Sequence, residues 1–471
     1  MAIGTLESPH MPDLVLDKIL RFLPTKAAVQ ASFPSKQWQG VVSSFPTLDF
    51  NEHDDFDRRG LGSAVLYQHQ HHRFIHFLER YLDFRNTYGR KEPLEKLSLH
   101  LRTYSHQDED IITKWLKYSC QRALKELDIC PDFYSKPYVT VTEHLVESEC
   151  PLESKFYNCF YRLPLVAISS SAKSLTSLKL GCVEVSELRR VGVQPLFPAL
   201  TIMSLKAVRV ATDQALYSVL RECPSIVYLS LTYCSIGNSK CYVCCSSLKY
   251  LEVKYCEVDN IRVDQAFNLQ SFLFVSPQNS ECEKMILNNA FNLKYINISV
   301  DKYLGEFSLL GCHRALEASI KSKGIHRFEL FDANRDQATV DQPTIDQATI
   351  LVGELMDQER LSSDSTYVPR LVRFIKSFSC CKEVNLYNEN LQALTVPKNY
   401  RKMTSLPLLP KTSTLEVRIP NLPLFGGRDY YDELVETLHW IAPSASILAK
   451  PVEVEEDRKK VDQRASLAGH R

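Results

Sequence analysis

A spacing of apolar residues that recurs through much of the chain constrains the fold more than any other feature. The pattern apolar-x-x-apolar-x-apolar runs as Leu94-Leu97-Leu99, Leu124-Leu127-Ile129, Leu175-Leu178-Leu180 and Leu200-Met203-Leu205. It continues as Ile226-Leu229-Leu231, Leu248-Leu251-Val253, Leu269-Phe272-Phe274 and Leu293-Ile296-Ile298. From residue 175 onward the units begin roughly every 21–26 residues, a period typical of stacked repeats. Fainter copies follow at Ile325-Phe328-Leu330, Cys381-Val384-Leu386, Leu391-Leu394-Val396 and Thr412-Leu415-Val417. Each unit offers one short strand whose alternation sends its apolar side chains to one side. A single unit cannot bury that side, but stacked neighbours build a continuous core. Ordinary amphipathic strands in an α/β domain would not recur so evenly. The longer intervals between 94 and 175 predict long or interrupted early units.

Ahead of the repeats, Met11 to Trp38 (MPDLVLDKILRFLPTKAAVQASFPSKQW) reads as a small helical module. Pro12 and Asp13 suit a helix start, where proline is tolerated and a carboxylate meets the positive end. Leu16, Ile19, Leu20 and Leu23 recur at spacings of three and four, forming one apolar stripe. Pro24 stops that helix, and Thr25 can cap a second carrying Ala28, Val29 and Phe33. After Pro34, Ser35 opens a third with Trp38, Val41 and Val42. A module of about 40 residues sits at the lower size limit for an independent core. It therefore needs cover, either from a partner or, as an ordinary amphipathic hairpin, from the rest of the chain.

The order Pro12-Asp13, Leu16, Ile19-Leu20, Leu23-Pro24, Ser35-Lys36, Trp38 resembles the F-box, and the match covers roughly residues 11–50. Phe45-Pro46-Thr47-Leu48-Asp49-Phe50 extends the likeness to plant F-box proteins with leucine-rich repeats. Two units strengthen it: IVYLSLTYCSI at 226–236 and LKYLEVKYCEV at 248–258 both place Tyr-Cys just after the strand, as cysteine-containing repeats do. Met11 stands where the family usually has Leu, a swap that conserves volume. Gln37 replaces a common Arg, and Val41-Val42 fall where a second Trp is frequent, which implies weaker adaptor affinity than a typical member has.

The resemblance implies an α/β chain with an N-terminal three-helix F-box followed by a leucine-rich-repeat solenoid, or horseshoe. It further implies docking on a Skp-type adaptor of a cullin scaffold through Pro12, Leu16, Ile19, Leu20, Leu23, Ala28 and Trp38. Residues 1–10 are expected to be disordered, 11–50 to form the F-box and 51–93 a connecting or capping helix, clearest over 64–85. Repeats follow over 94–420, with an insertion at 332–352. A cap occupies 421–449, including a helix from Tyr430 to Ile441, and a charged, disordered tail 450–471. The threefold pentapeptide DQATV-DQPTI-DQATI at 336–350 has a period that fits neither helix nor strand. Residues 368–378 read as helical.

Lys+Arg and Asp+Glu both number 56, so no global field favours nucleic acid or an acidic membrane. No apolar run approaches the ~18–20 residues that span a bilayer. The N-terminus lacks a signal peptide's basic-then-apolar order. The 15 scattered cysteines read as reduced thiols, which places the chain in the nucleus, the cytoplasm or both. Chemical motifs are sparse. His69, His71 and His72 read as a solvated helix face, and the C-x-x-C of Cys241, Cys244 and Cys245, near Cys234 and Cys256, as buried small residues. No metal, no cofactor and no catalytic set is expected; the chain reads as a non-catalytic subunit.

What the repeats offer is a concave face. Reading between the leucines gives Tyr228, Ser230 and Thr232, then Tyr250, Glu252 and Lys254, with Tyr295, Asn297 and Ser299 two units on. Tyr228, Thr232, Tyr250, Lys254 and Tyr295 are the candidate contacts for an unknown protein substrate. Tyrosine combines contact area with a polar tip, although column tyrosines can equally stack to stiffen a sheet. With the resemblance, this predicts the substrate receptor of an SCF-type ubiquitin ligase. The alternatives are a ligand-gated receptor with a small molecule in the concave face, for which Lys179, Lys206 and Lys254 are the basic candidates, or a non-ligase scaffold.

Overall fold

Repeated backbone bonding, more than any one side chain, sets the architecture. The computed structural model describes residues 12–32, 36–52, 64–89, 92–102, 104–131, 160–164, 168, 172–186, 195–300, 303–310, 317–322, 324–329, 347–352, 367–376, 382–388, 395–403, 407–419 and 428–451. These divide into two units, Met1–Arg209 and Val210–Arg471.

In the first unit, three short helices, α1 (Asp13–Arg21), α2 (Thr25–Ser32) and α3 (Lys36–Ser43), precede a parallel ladder. Its strands are Thr47–Asn51, Lys96–Leu101, Glu126–Pro131, Ser177–Gly181 and Ile202–Lys206, each paired with the next. One carbonyl ahead of each strand accepts two N–H groups from the following repeat. The Pro46 oxygen takes those of Glu95 and Lys96, Glu95 those of Lys125 and Glu126, and Lys125 those of Thr176 and Ser177. This shared acceptor locks the register. Helices α4 (Ala64–Tyr88) and α5 (Glu109–Cys120) connect the first three strands. Phe50, Tyr81 and Trp115 meet ring to ring in the core between them.

The second unit repeats the device. Strands Tyr228–Thr232, Tyr250–Lys254, Ser271–Val275, Tyr295–Ser299, Glu317–Ser322, Gln347–Val352, Glu383–Asn388, Thr414–Ile419 and Ser446–Pro451 pair in parallel, each with the next. Val227, Lys249 and Gln270 each supply the doubly accepting carbonyl. A second parallel sheet joins Lys240–Cys244, Asn260–Asp264, Cys282–Asn288, Tyr303–Leu310 and Gly324–Glu329. Between the two sheets the side chains alternate inward: Leu229 and Leu231, Leu251 and Val253, Phe272 and Phe274 from one, and Cys241 and Val243, Ile261 and Val263, Met285 and Leu287 from the other.

Several expectations change. The ladder begins at Thr47 rather than at 94, so α4 belongs to the first repeat instead of preceding it. Ile325 and Phe328 lie in the second sheet, on Gly324–Glu329, and the strand of their repeat is Glu317–Ser322; Leu330 lies outside the described residues. Within the expected insertion, Gln347–Val352 is a strand paired on both sides, because the pentapeptide's last copy runs on into alternating apolar residues. The helix expected over 430–441 runs Arg428–Ile441, and that over 368–378 runs Tyr367–Lys376. Ser446–Pro451 then adds a strand where the tail was expected to begin. Residues 1–10, 336–346, 391–394 and 452–471, and Phe33 to Ser35, lie outside the described residues.

Candidate interaction surfaces

Helix α1 carries apolar residues on two sides, and only one of them is covered. Leu16 and Leu20 are fully buried, as is Ala28 on α2. These three were expected to touch an adaptor, but their side chains form the packing beneath the surface instead. Ile19 and Leu23 are exposed, Pro12 is exposed, and Trp38 on α3 is half-buried. Two further side chains complete the uncovered strip: Val15 is exposed, and Phe22 is 89% exposed. Val15, Ile19, Phe22 and Leu23 fall at i, i+4, i+7 and i+8, one stripe of a helix continued into its C-cap. The sequence holds that second periodicity, offset by one residue from the stripe that stands out on first reading.

The other side of the three-helix head is fastened to the rest of the first unit. Thr25 Oγ1 accepts the Asp49 N–H at 2.8 Å, and the Tyr81 hydroxyl donates to the Val42 carbonyl at 3.0 Å. Buried Arg85 donates to the Phe45 carbonyl at 3.0 Å and to the Tyr118 hydroxyl at 2.8 Å. The Lys26 ammonium lies over the rings of Phe74 and Phe77. Charge-assisted bonds from a buried guanidinium are among the stronger ties available, so this docking has one orientation.

A second anchor lies at the end of the first strand. His71 is buried between two carboxylates, its Nδ1 3.0 Å from Glu52 Oε1 and its Nε2 3.2 Å from Asp108 Oδ2. Glu52 Oε2 also accepts the Arg102 N–H, and Asp108 Oδ2 the N–H and hydroxyl of Ser105. Burial alone would lower the imidazole pKa, but hydrogen bonds and charge from Asp108 and Glu52 raise it to about 9. Burial raises the Asp108 carboxyl, and His71 and Ser105 outweigh it and hold it below the ordinary value. His69 and His72 face solvent as expected, whereas His71 corrects that reading: it is buried.

In the second unit, register aligns Tyr228, Tyr250, Ser271 and Tyr295 in one row of neighbouring strands. Ser230, Glu252, Leu273 and Asn297 form the next row, and Thr232, Lys254, Val275 and Ser299 the third. Tyr228, Thr232 and Tyr250 are half-buried, and Tyr295 is 49% exposed. Lys254 Nζ lies 2.8 Å from Glu252 Oε2, so its charge is matched within the face. Burial, then the Glu252 charge, pushes the Tyr228 phenol up to about 12, keeping it a neutral donor. The face is aromatic, hydroxyl-rich and close to neutral. That composition disfavours the anionic small ligand considered for Lys254.

The cysteines behave as packing. Cys234, Cys241, Cys245 and Cys256 are buried, and the described cysteines are free thiols. Cys241 and Cys244, three apart on one strand, fall on opposite faces of the pleat, the reverse of what a chelating pair needs. No group of metal-ligating side chains occurs among the described residues, and no helix among them is long and apolar enough to cross a membrane.

Parallel strands repeating around doubly shared carbonyls, with leucines buried beneath them, are consistent with a leucine-rich-repeat fold. Residues 112–304 match the family model of the repeats of FBD-associated F-box protein At5g56370. The chain is 31% identical over 231 residues to the putative FBD-associated F-box protein At5g56690 of Arabidopsis thaliana, covering 48% of this chain and 46% of that protein. To F-box/LRR-repeat protein 13 of the same plant it is 25% identical over 223 residues, 47% of this chain and 40% of that one. To the putative FBD-associated F-box protein At5g22720 it is 25% identical over 301 residues, 62% and 50%. The chain spans half or less of the length of these curated relatives. The resemblance to plant F-box/leucine-rich-repeat proteins holds, and none of the relatives named here carries an enzyme's name.

Proposed function

We propose that this chain is the substrate-recognition subunit of an SCF-type ubiquitin ligase, acting in the cytoplasm or nucleus. The observation that carries it is the uncovered apolar strip of α1, Val15, Ile19, Phe22 and Leu23, on a head whose other side is bolted to the repeats. Four large apolar side chains together on a short helix invite a partner. A Skp-type adaptor, the partner that the F-box resemblance implies, docks there, and the adaptor bridges the chain to a cullin. The row of tyrosines in the second unit holds a protein substrate. The chain contributes no nucleophile; it raises the effective concentration of a substrate lysine near a charged conjugating enzyme.

Co-purification of the full chain with a Skp-type adaptor tests this. Ile19→Asp with Phe22→Asp abolishes the complex and leaves the melting temperature within a degree or two, since both side chains already face solvent. Leu20→Asp is the wrong probe, because it places a charge in the core. Retention of the adaptor by the Ile19/Phe22 variant rejects the proposal.

A further inference from the structure

Each strand of the tyrosine-bearing sheet must turn sharply as it leaves, and two of these turns carry an unexpected side chain. Tyr233 and Tyr255 follow Tyr228–Thr232 and Tyr250–Lys254 directly, with φ of 54° at both. That left-handed conformation favours Gly or Asn, so a bulky residue there sits in a strained backbone. The equivalent residues of the first unit, Cys182 and Ala207, are small. The two tyrosine rings stack at 4.9 Å with an interplanar angle of 17°, and Tyr255 is 42% exposed. The backbone closes both turns, the Tyr233 N–H donating to the Lys254 carbonyl and the Tyr255 N–H to the Val275 carbonyl.

The neighbourhood is acidic. The loops 233–239, 255–259 and 276–281 that leave three successive strands contain Glu257, Asp259 and Glu281, all exposed, against one exposed cation at their border, Lys240. Lys254, which precedes Tyr255, is already paired with Glu252. An aromatic stack presents electron-rich ring faces, and a rim of carboxylates adds to the attraction for a cation. Guanidinium fits best: its plane lies on a ring while its N–H fork reaches a carboxylate.

We infer that Tyr233 and Tyr255, with Glu257 and Asp259, form a platform for an arginine side chain of a bound polypeptide. This deepens the proposed substrate-receptor reading and rests on it: the platform adjoins Thr232 and Lys254, at the far ends of the strands that Tyr228 and Tyr250 open, so a substrate segment running along those strands from the tyrosine row would end with its arginine on the stack.

Fluorescence anisotropy of the full chain with a labelled decapeptide of glycine and serine carrying three arginines reads the interaction directly. The same peptide with citrulline, which keeps shape and loses charge, is the control. The arginine peptide binds, and the citrulline peptide binds at least tenfold more weakly. Tyr255→Leu weakens the arginine peptide about two- to fivefold. Glu257→Gln with Asp259→Asn weakens it further and flattens its salt dependence. Equal binding of the two peptides, no binding of either, or unchanged binding in both variants overturns the inference. Melting curves of each variant separate loss of binding from loss of fold, and adaptor co-purification, which depends on α1, reports separately on the receptor reading.

Discussion

His71 links the first strand's end, helix α4 and the turn before α5 through two carboxylates, and its protonation is built into the fold. With a folded pKa of about 9 against an ordinary 6.5, the stabilisation it contributes is complete below pH 6.5 and fades as pH rises through 9. Asp108, held below 3.8, contributes above that value and loses its contribution as pH falls through its folded value. The pair is therefore strongest between 3.8 and 6.5. Urea midpoints should fall from pH 6.5 to pH 9, and His71→Leu should flatten that fall, leaving the contribution of His100, whose pKa the Asp128 hydrogen bond raises. At pH 6 the same variant strands two buried carboxylates and should cost on the order of 3 kcal/mol. From sequence alone His71 was indistinguishable from its neighbours, because its partners lie 19 positions before it and 37 after it.

At the scale of elements, the tightest constraints are where strands touch. Gly305, on Tyr303–Leu310, sits against Glu283 of the neighbouring strand so closely that an added Cβ would press into the Glu283 carbonyl. Backbone cannot yield as a flexible side chain can, so Gly305→Ala should lower stability by about 1–3 kcal/mol, visible as a lower melting temperature. A second recurring device is the Ala-Phe-Asn-Leu of 266–269 and 290–293. Asn268 Nδ2 donates to the Ser246 carbonyl at 2.8 Å and Asn292 Nδ2 to the Phe267 carbonyl at 2.7 Å, while Phe267 and Phe291 stack. Removing one such bond by Asn292→Ala should cost about 0.5–1.5 kcal/mol in chemical denaturation.

Over the whole molecule, what was legible followed from periodicity. The leucines of 94–298 fall on the strands expected of them, since an inward alternation in a stacked repeat has one solution. The first strand obeys the same rule, with Phe45, Leu48 and Phe50 all buried, but it was hidden inside the motif of the head. The second sheet was missed although its strands carry the same spacing, as in Val258-Ile261-Val263, Cys282-Met285-Leu287 and Leu304-Phe307-Leu309, because these copies fall between the leucine-rich ones that set the period. On the candidate surfaces, tyrosines 228, 250 and 295 came from spacing alone, while Val15 and Phe22 needed burial to be seen. Nearest-neighbour stacking also predicts a gradient of local stability in the second unit. Amide exchange should be slowest in Tyr250–Lys254 and Ser271–Val275, which have partners on both sides, and fastest in Ser446–Pro451, paired on one side among the described residues.

The left-handed residue that closes a strand has one more implication. Its N–H is captured by a main-chain oxygen of the next repeat, at Cys182, Tyr233 and Tyr255 alike, so the bend is enforced whatever side chain stands there. Such a position is an interchangeable socket: cysteine, alanine and tyrosine have each been plugged into it along this one chain. A lineage of these proteins could vary what it captures by swapping the plug, without redesigning the frame that holds it.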